Sequence, residues 1–392
     1  MMRLSGVRVL GPRGLSEPVS MTLPVQAGPA EIDARNLVLS IGFMDLHAHL
    51  RDPGFPEKET LQSGTQSAAA GGFTEILAMA NTEPVLDRPD EISRLLARAA
   101  SAPIKVSLVG ALTEGLRGHR PTDARALKAA GVIALSDDGH HALDAGTLVS
   151  ALKGARDAGL PVFVHTQCDA IEDTRAAEAE AASQAIAALR LAEGVQVHLQ
   201  HVSLGSTVEQ LRAAREEGLA LTAEVTPHHL ALTQAGAVDL GPAGRVNPPL
   251  RSAADRDAVL QGLLDGVIDA VATDHAPHDT AAKQAGAPGF HGFETALGVL
   301  LRADVPWPVL YRALVEAPRV ICGRRAQDEW VLIDPAAEWE VDPNRFQSRG
   351  RNTPFAGMRL RGRVVMTICR GRAVVLDAAI SRQLRPEVAP VG

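Results

Sequence analysis

Asp45-Leu46-His47-Ala48-His49-Leu50-Arg51-Asp52-Pro53-Gly54 follows the apolar run Leu37 to Met44, which reads as a buried strand. Side chains alternate along a strand, so His47 and His49 share one face, about 7 Å apart along the chain. Two imidazoles side by side at a strand end suit a divalent transition metal; taken alone, the pair equally suits half-buried core histidines. The residues that decide between these readings lie far downstream.

Outward from this stretch, the middle of the chain repeats a strand-then-helix rhythm. Strands are expected at 38–44, 73–79, 104–109, 131–135, 160–164, 195–200, 220–225 and 267–273. Helical patterns run between them at 60–70, 91–100, 124–130, 145–158, 174–192, 206–217 and 253–264, and continue at 292–302 and 308–316. Eight strands with intervening helices predict an α/β fold, a (β/α)8 TIM-type barrel. A doubly wound sheet is the rival, and no GxGxxG follows a strand. Both chain ends are β-rich, with short alternating runs at 8–10, 21–25, 31–39, 330–334, 359–369 and 373–376. They predict a small composite β-sandwich domain from residues 1–40 and 326–392, flanking a catalytic barrel of residues 41–325.

Active-site residues of such barrels sit at the C-terminal ends of the strands. Here those ends carry His47 and His49, Asn81, Asp137-Asp138, His165, His201, His228-His229, and Asp274-His275 with His278. Each alone has an ordinary reading: Asp137-Asp138-Gly139 as a turn, His165 as a core histidine, His201 as the lead into a helix. Together they crowd histidines and carboxylates onto one face, a ligand inventory that fits one or two zinc ions.

The bulk numbers exclude several alternatives. A net charge of −7 and a pI near 6 give no electrostatic reason for nucleic acid or an anionic membrane as partner. Three cysteines, Cys168, Cys322 and Cys369, without CxxC spacing suit reduced thiols in a cytoplasm. Neither a signal peptide nor a run of membrane-spanning length is read from the sequence, so a cytoplasmic protein is expected.

At these residues the chain resembles the amidohydrolase superfamily and, within it, the type I (bacterial) dihydroorotases. The phrases that carry the resemblance run from Gly42 to Gly54, then Met79-Ala80-Asn81-Thr82, Ser136-Asp137-Asp138-Gly139, His201-Val202-Ser203 and Glu224-Val225-Thr226-Pro227-His228-His229. Asn247-Pro248-Pro249-Leu250-Arg251, Thr273-Asp274-His275-Ala276-Pro277-His278 and Asn352-Thr353-Pro354-Phe355 complete them. The resemblance implies a centre of His47, His49, Asp138, His165, His201 and Asp274 holding one or two Zn2+ ions, two being favoured. Asp138, taken over Asp137 for its place before Gly139, would bridge them. It also implies substrate contacts at His49, Arg51, Asn81, Asn247, His278 and the Pro288-Gly289 turn, and leaves His228 and His229 as supporting residues. Arginine's planar fork suits a carboxylate, and an amide that donates and accepts at once suits a cyclic ureide.

The activity so implied is the reversible, zinc-dependent cyclisation of N-carbamoyl-L-aspartate to (S)-dihydroorotate plus water in pyrimidine biosynthesis, with Asp274 as the proton-transferring carboxylate. A homodimer and a complex with aspartate carbamoyltransferase are the partners implied beside the small-molecule substrate. Hydantoinase-, dihydropyrimidinase- or allantoinase-type activity is the alternative within the superfamily, although those enzymes usually place a carboxylated lysine where no lysine stands near the end of the fourth strand here. A non-catalytic dihydroorotase-like subunit is the alternative of another class; such chains typically lose the ligand residues kept here. The segment between His165 and His201 and the loop after His278 look shorter than in many relatives, and Pro288-Gly289 replaces a more typical Phe-Gly pair.

Overall fold

The structure is a computed structural model that describes residues 1–26, 30–140, 144–377 and 380. Residues 27–29, 378, 379 and 381–392 of the two terminal segments lie outside the described residues. The N-terminal strands are β1 (Met2–Gly11), β2 (Gly14–Leu15), β3 (Val19–Leu23), β4 (Ala30–Asp33) and β5 (Val38–Ile41). The central strands are β6 (Phe43–Ala48), β7 (Phe73–Ala78), β8 (Lys105–Ala111), β9 (Val132–Ser136), β10 (Val162–Val164), β11 (Val197–Leu199), β12 (Leu221–Val225) and β13 (Ala270–Val271). The chain returns through β14 (Trp330–Glu340), β15 (Arg359–Cys369) and β16 (Arg372–Leu376).

Strands β6 to β13 pair in sequence order, all parallel. Parallel strands need crossover connections, and the helices that supply them cover the sheet's outer face. Those helices are delimited by local chemistry. Asp144 accepts a hydrogen bond from the Thr147 amide (2.9 Å) to start Ala145–Ala158, and Gly159 ends it in the left-handed region. The ends of the sheet meet where the Ala48–His275 bridge and the His49 N–H to His275 carbonyl bond (2.8 Å) close the barrel. Inside lie Met44, Leu46, Leu77, Met79, Val109, Ala134, Phe163, Ala270 and Ala272, with Ile321 packed against them. The larger cluster, which includes Ala48, Phe73, Ile76 and Leu108, packs strands against helices.

The apolar run 38–44, expected as one strand, divides between the two sheets. Gly42 is the break: a Cβ there would lie 2.2 Å from the Thr74 side chain, so only glycine lets the chain pass. Before it, β5 pairs with β1 and β14 in the mixed sheet; after it, β6 opens the barrel. The mixed sheet runs β16-β15-β14-β5-β1-β2, with β3 and β4 also on β1. The first half of β1 pairs with β3 and β4 and its second half with β5 and β2, so one long strand serves both layers of a sandwich. Met2, Leu4, Val7, Leu23, Ile32, Leu39, Leu332, Met366 and Ile368 fill the space between.

A largely enclosed acid sits where barrel and C-terminal segment meet. Glu294 accepts from the Gln347 amide (2.7 Å) and the Ser67 hydroxyl (3.0 Å), yet burial pushes its pKa up to about 7. A folded pKa above the unfolded value means that the native state keeps a proton the unfolded chain has released. Stability therefore falls as pH rises from about 4.5 to about 7. Glu294→Gln removes this slope: between those limits its melting temperature declines less than that of the wild type in thermal unfolding.

Candidate metal centre

Strand β6 presents its histidines through an irregularity. Asp45 pairs with Ile76 and Ala48 with Ala78, so one extra residue is accommodated on β6. Met44 and Leu46 face the barrel interior; beyond the bulge Ala48 packs outward, and His47 and His49 turn inward. A bulge of this kind re-aims side chains. The two rings lie 5.2 Å apart between centroids.

Six expected residues converge here. Asp138 Oδ1 lies 3.2 Å from His47 Nε2, 3.3 Å from His165 Nδ1 and 3.8 Å from His201 Nε2, while Oδ2 lies 3.4 Å from His49 Nε2. Asp274 Oδ1 is 3.6 Å from His47 Nε2 and 3.2 Å from His49 Nε2. All but Asp274 are buried, and that residue is nearly so. Asp137 turns away to accept from the Leu112 amide (2.9 Å), the Thr113 amide (2.8 Å) and the Thr113 hydroxyl.

The donor chemistry fits a cation. His47 Nε2 and Asp138 Oδ1 are buried and 3.2 Å apart, yet neither makes a hydrogen bond. His165 Nδ1 and His201 Nε2 stand 2.8 Å apart. Two histidine groups with a carboxylate each, His47-His49-Asp274 and His47-Asp138-His201, bring one ligand atom per residue within 4.8 Å of one another. Burial would raise the pKa of Asp274, but the facing His47 and the His49 hydrogen bond outweigh it and hold the acid well below its usual range.

Supporting residues fix the tautomers. Glu224 Oε1 accepts from His47 Nδ1 (2.9 Å), which leaves Nε2 bare toward the centre. The other Glu224 oxygen holds His198 Nε2 at 3.1 Å. Asn81 Oδ1 does the same for His49 Nδ1 (2.9 Å), so this expected substrate residue also orients a centre histidine. Asp45 accepts from the Thr273 amide (2.9 Å) and hydroxyl and thereby anchors the residue before Asp274. Eight described non-glycine residues have positive φ, and three of them are Arg51 (56°), His201 (36°) and Asp274 (46°). Strain gathered at one mouth is a mark of a functional site.

Sequence reasoning assigned no role to Glu224, Asp45, Arg251 or Lys283. An acid within the buried run Leu221–Val225 was the available signal for Glu224. Arg251 bonds the Ser203 hydroxyl (2.9 Å) and Glu178 (3.2 Å), bracing the turn after His201. His229 donates to the Pro248 carbonyl (3.0 Å) and accepts from Thr226 (2.8 Å), a supporting role; His228 packs on Phe290 at 4.9 Å, its Nε2 without a partner.

Of the remaining expected contacts, Arg51, His278 and the Pro288-Gly289 turn neighbour one another, while Asn247, half-buried, is tied to them only through Arg245. Arg51 faces Asp274 and Asp138 electrostatically, and its buried Nε has no partner. His278 Nε2 donates to the Pro288 carbonyl (2.7 Å), leaving Nδ1 as a buried, unpartnered acceptor. Gly289 has φ +109°, and a Cβ would meet Ala276 at 2.7 Å. Its carbonyl accepts from Asn352 (3.1 Å), and its amide donates to the carbonyl of Arg245, two residues before Asn247. The C-terminal segment closes the rim: Ser348 and the Arg349 amide (3.2 Å) donate to buried Glu59, which also holds His275 Nε2 at 3.3 Å.

A histidine–carboxylate cluster in the mouth of a (β/α)8 barrel is the arrangement of the metal-dependent cyclic amidohydrolases. Residues 36–198 match the family described as Dihydro-orotase-like. The chain is 42% identical over 382 residues to the dihydroorotase of Anaeromyxobacter sp. (strain K), across 88% of this chain and 87% of that protein. It is 37% identical over 387 residues to the dihydroorotase of Pelotomaculum thermopropionicum, across 90% and 91%. The L-hydantoinase (dihydropyrimidinase) from Arthrobacter aurescens superposes with a TM-score of 0.86 over 96% of both chains at 23% identity, a likeness of fold. The chain belongs to the dihydroorotase family. No described helix is long and apolar enough to cross a membrane.

Proposed function

We infer that the chain catalyses the reversible interconversion of N-carbamoyl-L-aspartate and (S)-dihydroorotate plus water, the ring-closing step of pyrimidine biosynthesis. The observation that carries this reading is Arg51: a half-buried arginine whose Nε is enclosed and unpartnered, beside a histidine–carboxylate cluster. A partly enclosed cation with a donor left free suits an anion, and dihydroorotate brings a carboxylate that neutral hydantoin and dihydropyrimidine rings lack. Lys128, the lysine just before β9, is turned to the Ala158 and Gly159 carbonyls and supplies nothing to the centre.

His47, His49, Asp138, His165, His201 and Asp274 would hold the metal, which we assign as Zn2+, two ions being favoured. When bound, the metal supplies a water nucleophile active at neutral pH and polarises the carbonyl under attack. Asp274 takes the proton released as the C–O bond forms and delivers it to the ring nitrogen as the C–N bond breaks. In the closing direction it accepts the ureido proton and returns it to the departing hydroxyl. Arg51 grips the substrate carboxylate, Asn81 and Asn247 read the ureide edge, and the bare Nδ1 of His278 accepts from a ring N–H. The Pro288-Gly289 turn contributes backbone groups to the same edge.

The test is metal-dependent turnover of dihydroorotate beside hydantoin, dihydrouracil and allantoin, with metal content measured on the same sample. Dihydroorotate is expected to exceed the neutral rings by at least about 100-fold in kcat/KM. Comparable rates on a neutral ring would sink the reading. The family reading extends to a cytoplasmic homodimer that binds aspartate carbamoyltransferase, checked by sedimentation of the chain alone and mixed with that enzyme.

A further inference from the structure

Lys283 is a lysine inside the protein, 5% exposed, on the short helix Thr280–Gln284. Its ammonium donates to the backbone carbonyls of Gly289 (2.6 Å), Arg245 (2.8 Å) and Ala287 (3.1 Å), and no carboxylate is paired with it among the described residues. A lysine is seldom buried without a charge partner, and burial pushes this one down to about 8. Helix stability does not explain it, because an apolar side chain would fill the same space without the desolvation cost.

What the ammonium joins is informative. The Arg245 carbonyl also accepts from the Gly289 amide (3.0 Å) and lies two residues before Asn247. The Gly289 carbonyl also accepts from Asn352 (3.1 Å), and the Pro288 carbonyl holds His278 Nε2 (2.7 Å). Two chain segments expected to touch substrate, those of Asn247 and Pro288-Gly289, therefore meet at one buried point charge, and the second of them holds His278. Three carbonyl dipoles directed at one another's neighbourhood repel unless a cation sits between them.

We propose that Lys283 is a positioning residue for substrate binding, which gathers the Arg245, Ala287 and Gly289 carbonyls and so sets the Asn247 and Pro288-Gly289 segments around His278. It touches no metal-centre residue, so it acts on recognition of the ring and leaves proton transfer to Asp274. This proposal rests on the dihydroorotase reading above.

The experiment compares wild type, Lys283→Met and Lys283→Gln on dihydroorotate, with metal content and thermal unfolding recorded for each. Lys283→Met is expected to raise KM by about tenfold or more, with kcat within about threefold of wild type and metal content unchanged. Lys283→Gln, which keeps a neutral N–H donor on a side chain one bond shorter, is expected to fall between the two. An unchanged KM in folded Lys283→Met, or a loss confined to kcat or to bound metal, overturns the proposal. Failure of both variants to fold overturns it too, in favour of a purely structural role. A wild type inactive on dihydroorotate condemns the functional reading instead, and is thereby told apart from a failure of this inference.

Discussion

Asp274→Asn is expected to lower turnover at least about 1,000-fold in both ring opening and ring closure while leaving the fold intact. The asparagine keeps the shape of the side chain but cannot take a proton from one atom and give it to another. It is also the cleaner substitution on backbone grounds. Asp274 has φ +46°, a conformation asparagine tolerates and alanine resists. Asp274→Ala therefore loses activity to the same extent and melts at a lower temperature. Assays in both directions, with metal analysis and thermal unfolding, check the pair; turnover near the wild-type rate with full metal content would falsify the assignment of Asp274 as the proton carrier.

The second large effect separates two neighbouring carboxylates. Asp138→Ala removes the group that faces four histidine nitrogens, and the purified protein is expected to lose most of its metal and activity together. Chelation of the wild type should reproduce the activity loss, and added Zn2+ should restore the wild type but not the variant. Asp137→Ala is expected to keep its metal, because that carboxylate is spent on the Leu112 and Thr113 amides and the Thr113 hydroxyl. Its cost is stability, roughly 1–3 kcal/mol for donors left unpaired. Metal retained by Asp138→Ala and lost by Asp137→Ala would reverse the two roles.

The barrel was legible because its signals are local. The rhythm of apolar runs and helical patterns placed seven of the eight parallel strands to within a few residues; the first, expected at 38–44, runs from Phe43 to Ala48. The bulge in β6 and the division of 38–44 between two sheets were not, because both depend on neighbours distant in sequence: the partner strand β7 and the Thr74 side chain. The cluster itself was legible because ligating residue types at strand ends cannot avoid one another once the barrel closes. Its supports were harder to see. Glu224 and Asp45 stand in the open as acids within apolar strands, but which histidine or amide each would hold is a matter of tertiary contact. Lys283 gave no signal at all, since a lysine on a short polar helix reads as solvent-facing until its three carbonyl partners are known.

The segment around Ser348 to Asn352 has a consequence for how the enzyme is made. Glu59 is enclosed early in the chain, yet two of its donors arrive from Ser348 and Arg349, and the Gly289 carbonyl waits for Asn352. A ribosome thus releases every imidazole of the centre long before the residues that brace the rim around them. Until that last segment emerges, the nascent barrel carries an acid short of donors and a Pro288-Gly289 turn without its anchor.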